Sequence, residues 1–215
     1  MSDEPTLRAA LLDVSRRMLE LGLNRGTAGN ASVRCGGGLL LTPTALPVAE
    51  MTPDSMVRMA LDGRVLQGGK PSSEWRFHCD ILKARPEIGA VLHSHSPFAT
   101  TMACLRRDVP AVHYMIALAG GDSIRCAPYS VFGEQQLCAN ALEALQGRKA
   151  CLLGNHGMIA LGTDLDDALA VAQEVEYLCE IYWRTLSVGE PKILTAQQMH
   201  EVKAKFVEYK KRDTR

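Results

Sequence analysis

The stretch Ile88-Gly89-Ala90-Val91-Leu92-His93-Ser94-His95 joins a short apolar run to two histidines at alternate positions. The apolar part has the length and composition of a buried β-strand. Side chains on a strand alternate between its two faces, so His93 and His95 should point the same way, about 7 Å apart along the backbone. Two such rings can share one metal ion. The alternative is a pair of strand-end histidines that hydrogen-bond to backbone groups.

A third histidine lies far downstream, in Asn155-His156-Gly157, between two apolar strand-like segments. If His156 joins His93 and His95, three imidazoles bind the metal and one coordination position stays open. An open position is typical of a catalytic metal site rather than a structural one. Imidazole ligands suit Zn²⁺, and they also suit Mn²⁺ or Co²⁺.

Helices and hairpins are predicted on both sides of this strand. Thr6 should cap the first helix and Gly22 should close it. Helices are expected at residues 6–21, 73–85, 97–105, 133–145, 164–187 and 195–211, hairpins around residues 36–38 and 62–63, and further strands near 112 and 124, at 150–153 and at 158–161. This order predicts a single α/β domain over residues 1–215, with a mixed, mainly antiparallel central sheet between helical layers.

The composition argues against several classes of function. Basic and acidic residues number 24 each, so the chain has no electrostatic support for nucleic-acid binding. No apolar run is long enough to span a membrane, and no nucleotide-binding glycine motif follows a strand. The 7 cysteines form no C-x-x-C pair and are expected to be free thiols. The start Met1–Pro5 is polar, and no signal peptide is expected there. The free thiols and this polar start together predict a cytoplasmic protein.

A polar loop precedes the helix predicted to begin at residue 73. Its two hydroxyls, Ser72 and Ser73, and the free backbone N–H groups beside them could cradle a phosphate. Ordinary N-capping by either serine is the structural alternative, and a carboxylate such as Glu74 is favoured in a first turn for electrostatic reasons alone. If this loop and the metal lie together, Glu74 could move a proton on the carbon beside a metal-polarised carbonyl.

Four other polar residues leave alternatives open. Tyr114 is either a second proton donor or a half-buried tyrosine of the sheet. His78, one helical turn beyond Glu74, either neighbours the site or faces outward. His113 is expected in the core or behind the site, and His200 is expected in solvent on the last helix.

Taken together, four stretches resemble the zinc-dependent class II aldolases of the fuculose-1-phosphate aldolase type, in the aldolase II/adducin superfamily. The resemblance covers nearly the whole chain. Its strongest parts are Pro71-Ser72-Ser73-Glu74-Trp75-Arg76-Phe77-His78, Ala111-Val112-His113-Tyr114-Met115-Ile116-Ala117, Cys126-Ala127-Pro128-Tyr129 and Asn155-His156-Gly157. The resemblance implies a fourfold-symmetric homotetramer with active sites at the subunit interfaces.

The resemblance also implies roles for particular residues. Glu74 would be the acid/base, and would bind the metal together with three histidines when substrate is absent. Tyr114 would reach a neighbouring subunit's site and protonate the departing aldehyde oxygen. The implied metal ligands are His93, His95, His156 and Glu74; the implied phosphate-binding residues are Thr27, Asn30, Thr44, Ser72 and Ser73; and the implied walls of the aldehyde pocket are Phe132, Phe206 and Tyr209.

The implied reaction is metal-dependent retro-aldol cleavage of a ketose 1-phosphate to dihydroxyacetone phosphate and a small aldehyde. Phe132 and Phe206 suggest an apolar aldehyde, so fuculose 1-phosphate, 5-deoxyribulose 1-phosphate and 5-methylthioribulose 1-phosphate are all candidate substrates. Rivals within the superfamily are methylthioribulose-1-phosphate dehydratase and pentulose-5-phosphate 4-epimerase, although such epimerases commonly carry Asp in place of Glu74. A non-catalytic, adducin-like interaction domain would need no metal ligands.

One position departs from the family pattern. The family often has glycine where this chain has Ala45, and alanine resists a positive φ. Either the loop does not need that conformation here, or the backbone contact to phosphate is altered.

Overall fold

The computed structural model describes residues 3–213, with side chains through residue 209. One sheet contains nine strands. They are β1 (Asn30–Cys35), β2 (Gly38–Leu41), β3 (Val57–Ala60), β4 (Val65–Gln67), β5 (Ala90–Ser94), β6 (Val109–Pro110), β7 (Ser123–Ala127), β8 (Ala150–Leu153) and β9 (Gly157–Gly162). The helices are α1 (Glu4–Glu20), α2 (Trp75–Ala84), α3 (Pro97–Cys104), α4 (Gln135–Ala144), α5 (Leu165–Val188) and α6 (Ala196–Asp213).

The strand order is β4-β3-β2-β1-β5-β9-β8-β7-β6, which places β5 at the centre of the sheet. The pair β7–β8 is parallel and the other pairs are antiparallel. Helices α1, α3 and α5 pack on one face of the sheet, and α2 and α4 pack together on the other. The prediction of a mixed, mainly antiparallel sheet between helical layers is confirmed.

Alternation along β5 decides which layer each side chain enters. Leu92 packs in the core on the α1, α3 and α5 side, whereas Val91 packs in the core on the α2 and α4 side. Because His93 is two residues beyond Val91, it faces α2. The ring of Phe77, from α2, meets the ring of His93 edge-on at 5.5 Å.

Two predicted helix starts are wrong. Asp3, rather than Thr6, caps α1, because its carboxylate accepts a hydrogen bond from the Thr6 backbone N–H at 3.0 Å. Helix α2 begins at Trp75, two residues later than expected, so Glu74 occupies the N-cap position rather than the first turn. The preceding loop is held extended instead, since Ser72 N–H donates to the Thr42 carbonyl at 3.1 Å.

The expected strand near Val112 is also wrong in its position. Strand β6 ends at Pro110, and a 3₁₀ helix follows at Tyr114–Ala119. Tyr114 is 49% exposed on that short helix, so the alternative of a half-buried sheet tyrosine is excluded. The other predicted helices, strands and hairpins are present, with ends that differ by a few residues.

Within residues 3–213, no helix is long and apolar enough to cross a lipid bilayer. The 7 cysteines, all among the described residues, are free; Cys104 is exposed, Cys126 is partly buried and the others are buried.

Candidate active site

Three histidines converge because the turn between β8 and β9 lies beside the C-terminal end of β5. His93 lies on β5, His95 follows directly after it, and His156 lies in the turn between β8 and β9. Strand β9 pairs with β5, which carries the turn to the histidines. A side chain at Gly157 would meet the Ser94 carbonyl oxygen at 2.3 Å, so this close approach of the two strands requires glycine.

The three rings are arranged at nearly equal spacing. The distances between ring centroids are 4.8, 4.8 and 4.9 Å, and each pair of rings meets edge to face. One nitrogen from each ring lies within 4.8 Å of the nitrogens of the other two. The shared face of His93 and His95 that the sequence predicts is confirmed, and His156 joins them.

Glu74 completes the cluster from the N-terminus of α2. Its Oε2 lies 3.2 Å from Nε2 of His93, and its Oε1 lies 3.3 Å from Nε2 of His156. Within the part of the chain that the structure describes, Oε1 is buried and has no hydrogen-bond partner. An orphaned carboxylate oxygen that faces imidazole nitrogens is the kind of group that a cation would satisfy.

The tautomer of His93 supports the same reading. Nδ1 of His93 lies 2.9 Å from the Met158 carbonyl oxygen and must donate to it, because a carbonyl only accepts. In the neutral ring that metal binding requires, Nε2 carries no proton, and this nitrogen lies 3.0 Å from His95 Nε2. A backbone carbonyl behind the ring is the usual support of a metal-binding histidine. The donor set therefore fits a divalent cation.

Burial sets the charges within the cluster. It lowers the pKa of His95 and of His156 to about 4, so both rings are neutral and free to bind a metal near pH 7. Burial also disfavours the charged form of His93, but the Glu74 carboxylate outweighs this and raises the pKa of His93. Burial would raise the pKa of Glu74, yet the adjacent His93 dominates and holds it below the usual range.

A cavity of about 360 Å³ opens beside Glu74 and the histidines. Four loops and the β8–β9 turn surround it. The residues that line it are Thr27, Ala28, Gly29, Asn30, Pro43, Thr44, Ala45, Ser72, Ser73, Glu74, His95, Tyr129, Ser130, Phe132, Asn155 and His156. The structure thus brings the five residues expected to bind phosphate to one cavity, next to the proposed metal ligands.

Hydrogen bonds between the loops fix this arrangement. Thr44 N–H donates to the Lys70 carbonyl at 3.1 Å, and Pro43 pairs with Pro71 as an isolated bridge. The Ser72 hydroxyl accepts from the Glu74 backbone N–H at 3.3 Å, so this serine stabilises the turn before α2, but it does not cap the helix. Ser73 is exposed at the cavity. No lysine or arginine is among the described residues lining the cavity, so the hydroxyl and backbone N–H donors that this chain offers an anion there are neutral.

Ala45 adopts the backbone conformation that alanine resists. Its φ is 55°, in the left-handed region. A non-glycine residue there carries a cost of about 1 kcal/mol or more, and such residues concentrate at functional sites. The loop therefore keeps the conformation expected of glycine, which answers the question raised by the sequence.

The expected aldehyde-pocket residues are divided between two places. Phe132 lines the cavity, whereas the described lining residues include neither Tyr114 nor Phe206 nor Tyr209. The rings of Tyr114 and Phe206 stack on each other with centroids 6.3 Å apart. Tyr209 is 64% exposed on α6. One chain alone does not bring these three residues to the cavity.

The sequence reasoning assigned no role to several residues that build the site. Tyr129, Ser130 and Asn155 line the cavity. Asn155 has a φ of 54°, and its Oδ1 accepts from Arg106 Nε at 2.7 Å, which fixes the turn that carries His156. An asparagine in the turn between two predicted strands was the available signal, because asparagine tolerates this conformation.

Glu176 was also missed. This residue of α5 accepts hydrogen bonds from the Ser96 hydroxyl at 2.6 Å and from the backbone N–H groups of Phe98 and Ala99 at 2.8 Å. The Glu176 carboxylate thereby provides hydrogen-bond acceptors for the free backbone N–H groups in the first turn of α3, which begins two residues after His95. Nothing local in the sequence indicates it, since its partners lie about 80 residues away along the chain.

Comparison with known proteins agrees with this geometry. The profile of the family described as Class II Aldolase and Adducin N-terminal domain matches residues 9–183. The chain belongs to this family of class II aldolases and adducins.

Several similar proteins within the family are named as sugar-phosphate aldolases. The chain is 53% identical to the 5-methylthioribulose-1-phosphate/5-deoxyribulose-1-phosphate aldolase of Rhodospirillum rubrum, over 94% of this chain and 92% of that protein. It is 44% identical to the L-fuculose phosphate aldolase of Escherichia coli K12, over 94% and 95% of the two chains. A solved structure of an L-fuculose 1-phosphate aldolase superposes with a TM-score of 0.91 at 37% identity, covering 94% of this chain and 96% of that one.

Proposed function

We propose that this protein is a metal-dependent aldolase that cleaves a ketose 1-phosphate to dihydroxyacetone phosphate and a small aldehyde. One observation carries the proposal: His93, His95, His156 and a buried, orphaned Glu74 oxygen converge beside a cavity lined with hydroxyl groups. Membership in the class II aldolase family and the aldolase names of its relatives support it. An interaction domain would have no use for this set of metal-binding groups.

The three histidines and Glu74 would hold a divalent cation, with Zn²⁺ as the proposed ion. Such a cation, when bound, polarises a carbonyl oxygen and stabilises the negative charge that develops in an aldol reaction. His95 and His156 are neutral near pH 7, and the Met158 carbonyl orients His93 for the same task.

Glu74 transfers the proton to and from the reacting carbon, C3. Cleavage breaks the bond between C3 and C4, the C4 hydroxyl loses its proton as the aldehyde forms, and C3 then gains a proton. Glu74 is the carboxylic group that lies at the cavity and beside the histidines. Ionised Glu74 is the base for the reverse condensation, and the same oxygen returns the proton during cleavage.

Two of the candidate substrates are favoured over fuculose 1-phosphate. Identity is 53% to the relative named for 5-methylthioribulose 1-phosphate and 5-deoxyribulose 1-phosphate, against 44% to the relative named for fuculose phosphate. The exposed ring of Phe132 at the cavity suits an aldehyde with an apolar end.

A panel of ketose 1-phosphates tests the proposal. The purified, zinc-loaded protein is incubated with the three candidates and with ribulose 5-phosphate, and the products are separated. Dihydroxyacetone phosphate from at least one 1-phosphate is the expected result. A dehydrated ketone from methylthioribulose 1-phosphate would identify the dehydratase instead, and xylulose 5-phosphate would identify the epimerase.

Removing the two hydroxyls at the phosphate loop should weaken substrate binding more than chemistry. We expect Ser72→Ala with Ser73→Ala to raise KM for the phosphorylated ketose, because the lining offers neutral donors to the anion. Competitive inhibition by inorganic phosphate should weaken in parallel. Ser73→Ala alone separates this effect from the loss of the loop hydrogen bond that the Ser72 hydroxyl accepts from the Glu74 N–H.

Ser187→Ala, at an exposed serine near the end of α5, is the matched control for the phosphate loop. An unchanged KM in the double variant, with stability also unchanged, would remove these serines from the phosphate site.

We also propose that the protein is a homotetramer with sites shared between subunits. Large apolar side chains are unusually exposed around the elements concerned: Tyr114 at 49%, Val207 at 55%, and Phe132 and Tyr209 at 64% each. Where such groups form a contiguous patch, they mark a surface that meets a partner. Tyr114 does not line the cavity of its own chain. It would exchange a proton with the aldehyde oxygen in the site of a neighbouring subunit.

Mixing two inactive variants tests this sharing. Tyr114→Phe keeps the packing on Phe206 and removes only the phenolic group, and Glu74→Gln removes the acid/base. If sites are shared, mixed oligomers contain some sites with both groups intact, and part of the activity returns. Subunits that demonstrably exchange without any return of activity would exclude a role for Tyr114 across the interface.

The cytoplasm is the proposed location. Five of the 7 free cysteines are buried, and burial raises the pKa of Cys79 and Cys138 to about 12, so these thiols are unreactive. Free thiols in this number suit a reducing compartment.

A further inference from the structure

A line of hydrogen bonds runs behind Glu74, away from the histidines. Asn30 Nδ2 donates to Glu74 Oε2 at 2.9 Å. The other end of the same amide, Asn30 Oδ1, lies 2.6 Å from Nε2 of His78, and Nδ1 of His78 lies 2.8 Å from the Ser32 hydroxyl. The order is therefore Ser32, His78, Asn30, Glu74.

The sheet and α2 bring these groups together inside the protein. Asn30 and Ser32 alternate on β1, where they pair with His93 and Val91 of β5 and so face α2. His78 of α2 lies between them. His78 and Ser32 are 0% exposed, and Asn30 is 8% exposed, so each polar atom depends on its protein partners.

The chemistry of the partners fixes the direction of every hydrogen bond. Asn30 Oδ1 can only accept, so Nε2 of His78 carries the proton. Burial, with the neighbouring His93, lowers the pKa of His78 to about 3, and the neutral ring must accept at Nδ1. The Ser32 hydroxyl therefore donates. All three hydrogen bonds point toward the Glu74 carboxylate, an arrangement in which each bond strengthens the next.

The orientation of the Asn30 amide decides whether this line of hydrogen bonds reaches Glu74. It has two orientations, and the flipped one would set its oxygen against the Glu74 carboxylate. The Nε2–H of His78 stabilises the orientation in which Nδ2 faces Glu74, and the flipped amide would set a donor against that donor.

We propose that His78 is a positioning residue for the acid/base. By fixing the orientation of Asn30, it holds Oε2 of Glu74 in place beside His93 and leaves Oε1 facing His156. The inference rests on the proposed function for its kinetic consequence, and on the hydrogen-bond geometry and burial of His78 for the state of its ring. It also means that both polar ends of the Asn30 side chain are already engaged before any phosphate binds.

Two substitutions of His78 separate the donor from the rest of the ring. A glutamine amide reaches the place of Nε2 and keeps a donor for Asn30, whereas an asparagine amide reaches only the place of Nδ1. We expect His78→Asn to lower kcat by about 10–100-fold, the usual effect of losing a group that orients an active-site residue. Metal content and KM should stay close to wild type, and His78→Gln should recover most of kcat.

Equal losses in both variants, or losses that only follow the melting temperature, would show that His78 fills space and does not orient Asn30. Nitrogen-15 spectra of the histidine rings, assigned with His78→Gln, provide a measurement on the wild-type protein that needs no variant to fold well. The expected signature at pH 7 is a neutral ring protonated at Nε2, with a slowly exchanging proton. A ring protonated at Nδ1, or at both nitrogens, overturns the inference.

This readout also separates the two hypotheses. A wild-type protein that cleaves none of the ketose 1-phosphates contradicts the proposed function, and the ring spectrum still decides whether His78 donates to Asn30. Cleavage with the wrong tautomer contradicts only the role of His78.

Discussion

Replacing any one of His93, His95 or His156 with alanine should leave the protein folded, deplete its metal and lower kcat/KM by about a thousandfold. The expected size follows from the several kcal/mol that a Lewis acid contributes to such a reaction, since about 4 kcal/mol corresponds to three powers of ten. The three imidazoles lie at nearly equal spacing, so each removal leaves only two of them and Glu74. Elemental analysis of the purified variants, beside their activity, measures both effects.

A chelator should have the same effect on the wild-type protein, and a divalent metal should reverse it. His200→Ala is the matched control, because His200 is exposed on α6 and remote from the cluster in sequence and fold. It should bind metal and turn over as the wild type does. Full activity in a verified metal-free preparation would rule out the metal-dependent mechanism.

The histidine cluster could be predicted from the sequence because its geometry is largely local. Two histidines separated by one residue at the end of a buried strand should share a face, and His93 lies on β5 with His95 just beyond its end. The third histidine could be predicted because Asn155-His156-Gly157 forms a turn between two apolar strands. Hairpins and long helices followed from turn residues and periodicity in the same way.

The start of α2 could not be predicted because it is decided at long range. Ser72 and Ser73 are good capping residues, and local preference favours a helix from residue 73. The hydrogen bonds of this loop to Thr42 and Thr44, about 30 residues earlier in the chain, keep it extended instead. Glu74 is thereby moved from a helix turn to the helix entrance, where its side chain reaches the histidines.

The hydrogen bonds behind Glu74 could not be predicted from the sequence, for a related reason. Periodicity places His78 near Glu74 on α2, but only the pairing of β1 with β5 puts Asn30 and Ser32 opposite it. Whether a polar side chain on a helix faces solvent or a buried partner depends on that pairing. The backbone of Ala45 is a similar case, since residue type argues against its positive φ and the surrounding loops impose it.

Glu74→Gln should lower kcat by about 10²–10⁴-fold while the protein keeps its metal and its affinity for substrate. The amide has the shape of the carboxylate, and its oxygen can still accept from Asn30 Nδ2, so the side chain should stay where it is. What it loses is the ability to take up and return a proton at C3. The three histidines remain to bind the metal, which separates this variant from the histidine variants.

The measurement that isolates this role is a comparison of kcat, KM and metal content between Glu74→Gln and Glu87→Gln. Glu87 is an exposed carboxylate paired with Arg85, and its neutralisation should leave all three quantities unchanged. Exchange of the C3 proton of dihydroxyacetone phosphate with deuterated water gives a second readout, because it reports proton transfer without cleavage. It should fall with kcat in Glu74→Gln. Near-normal exchange would mean that another group moves the proton and that Glu74 serves only the metal.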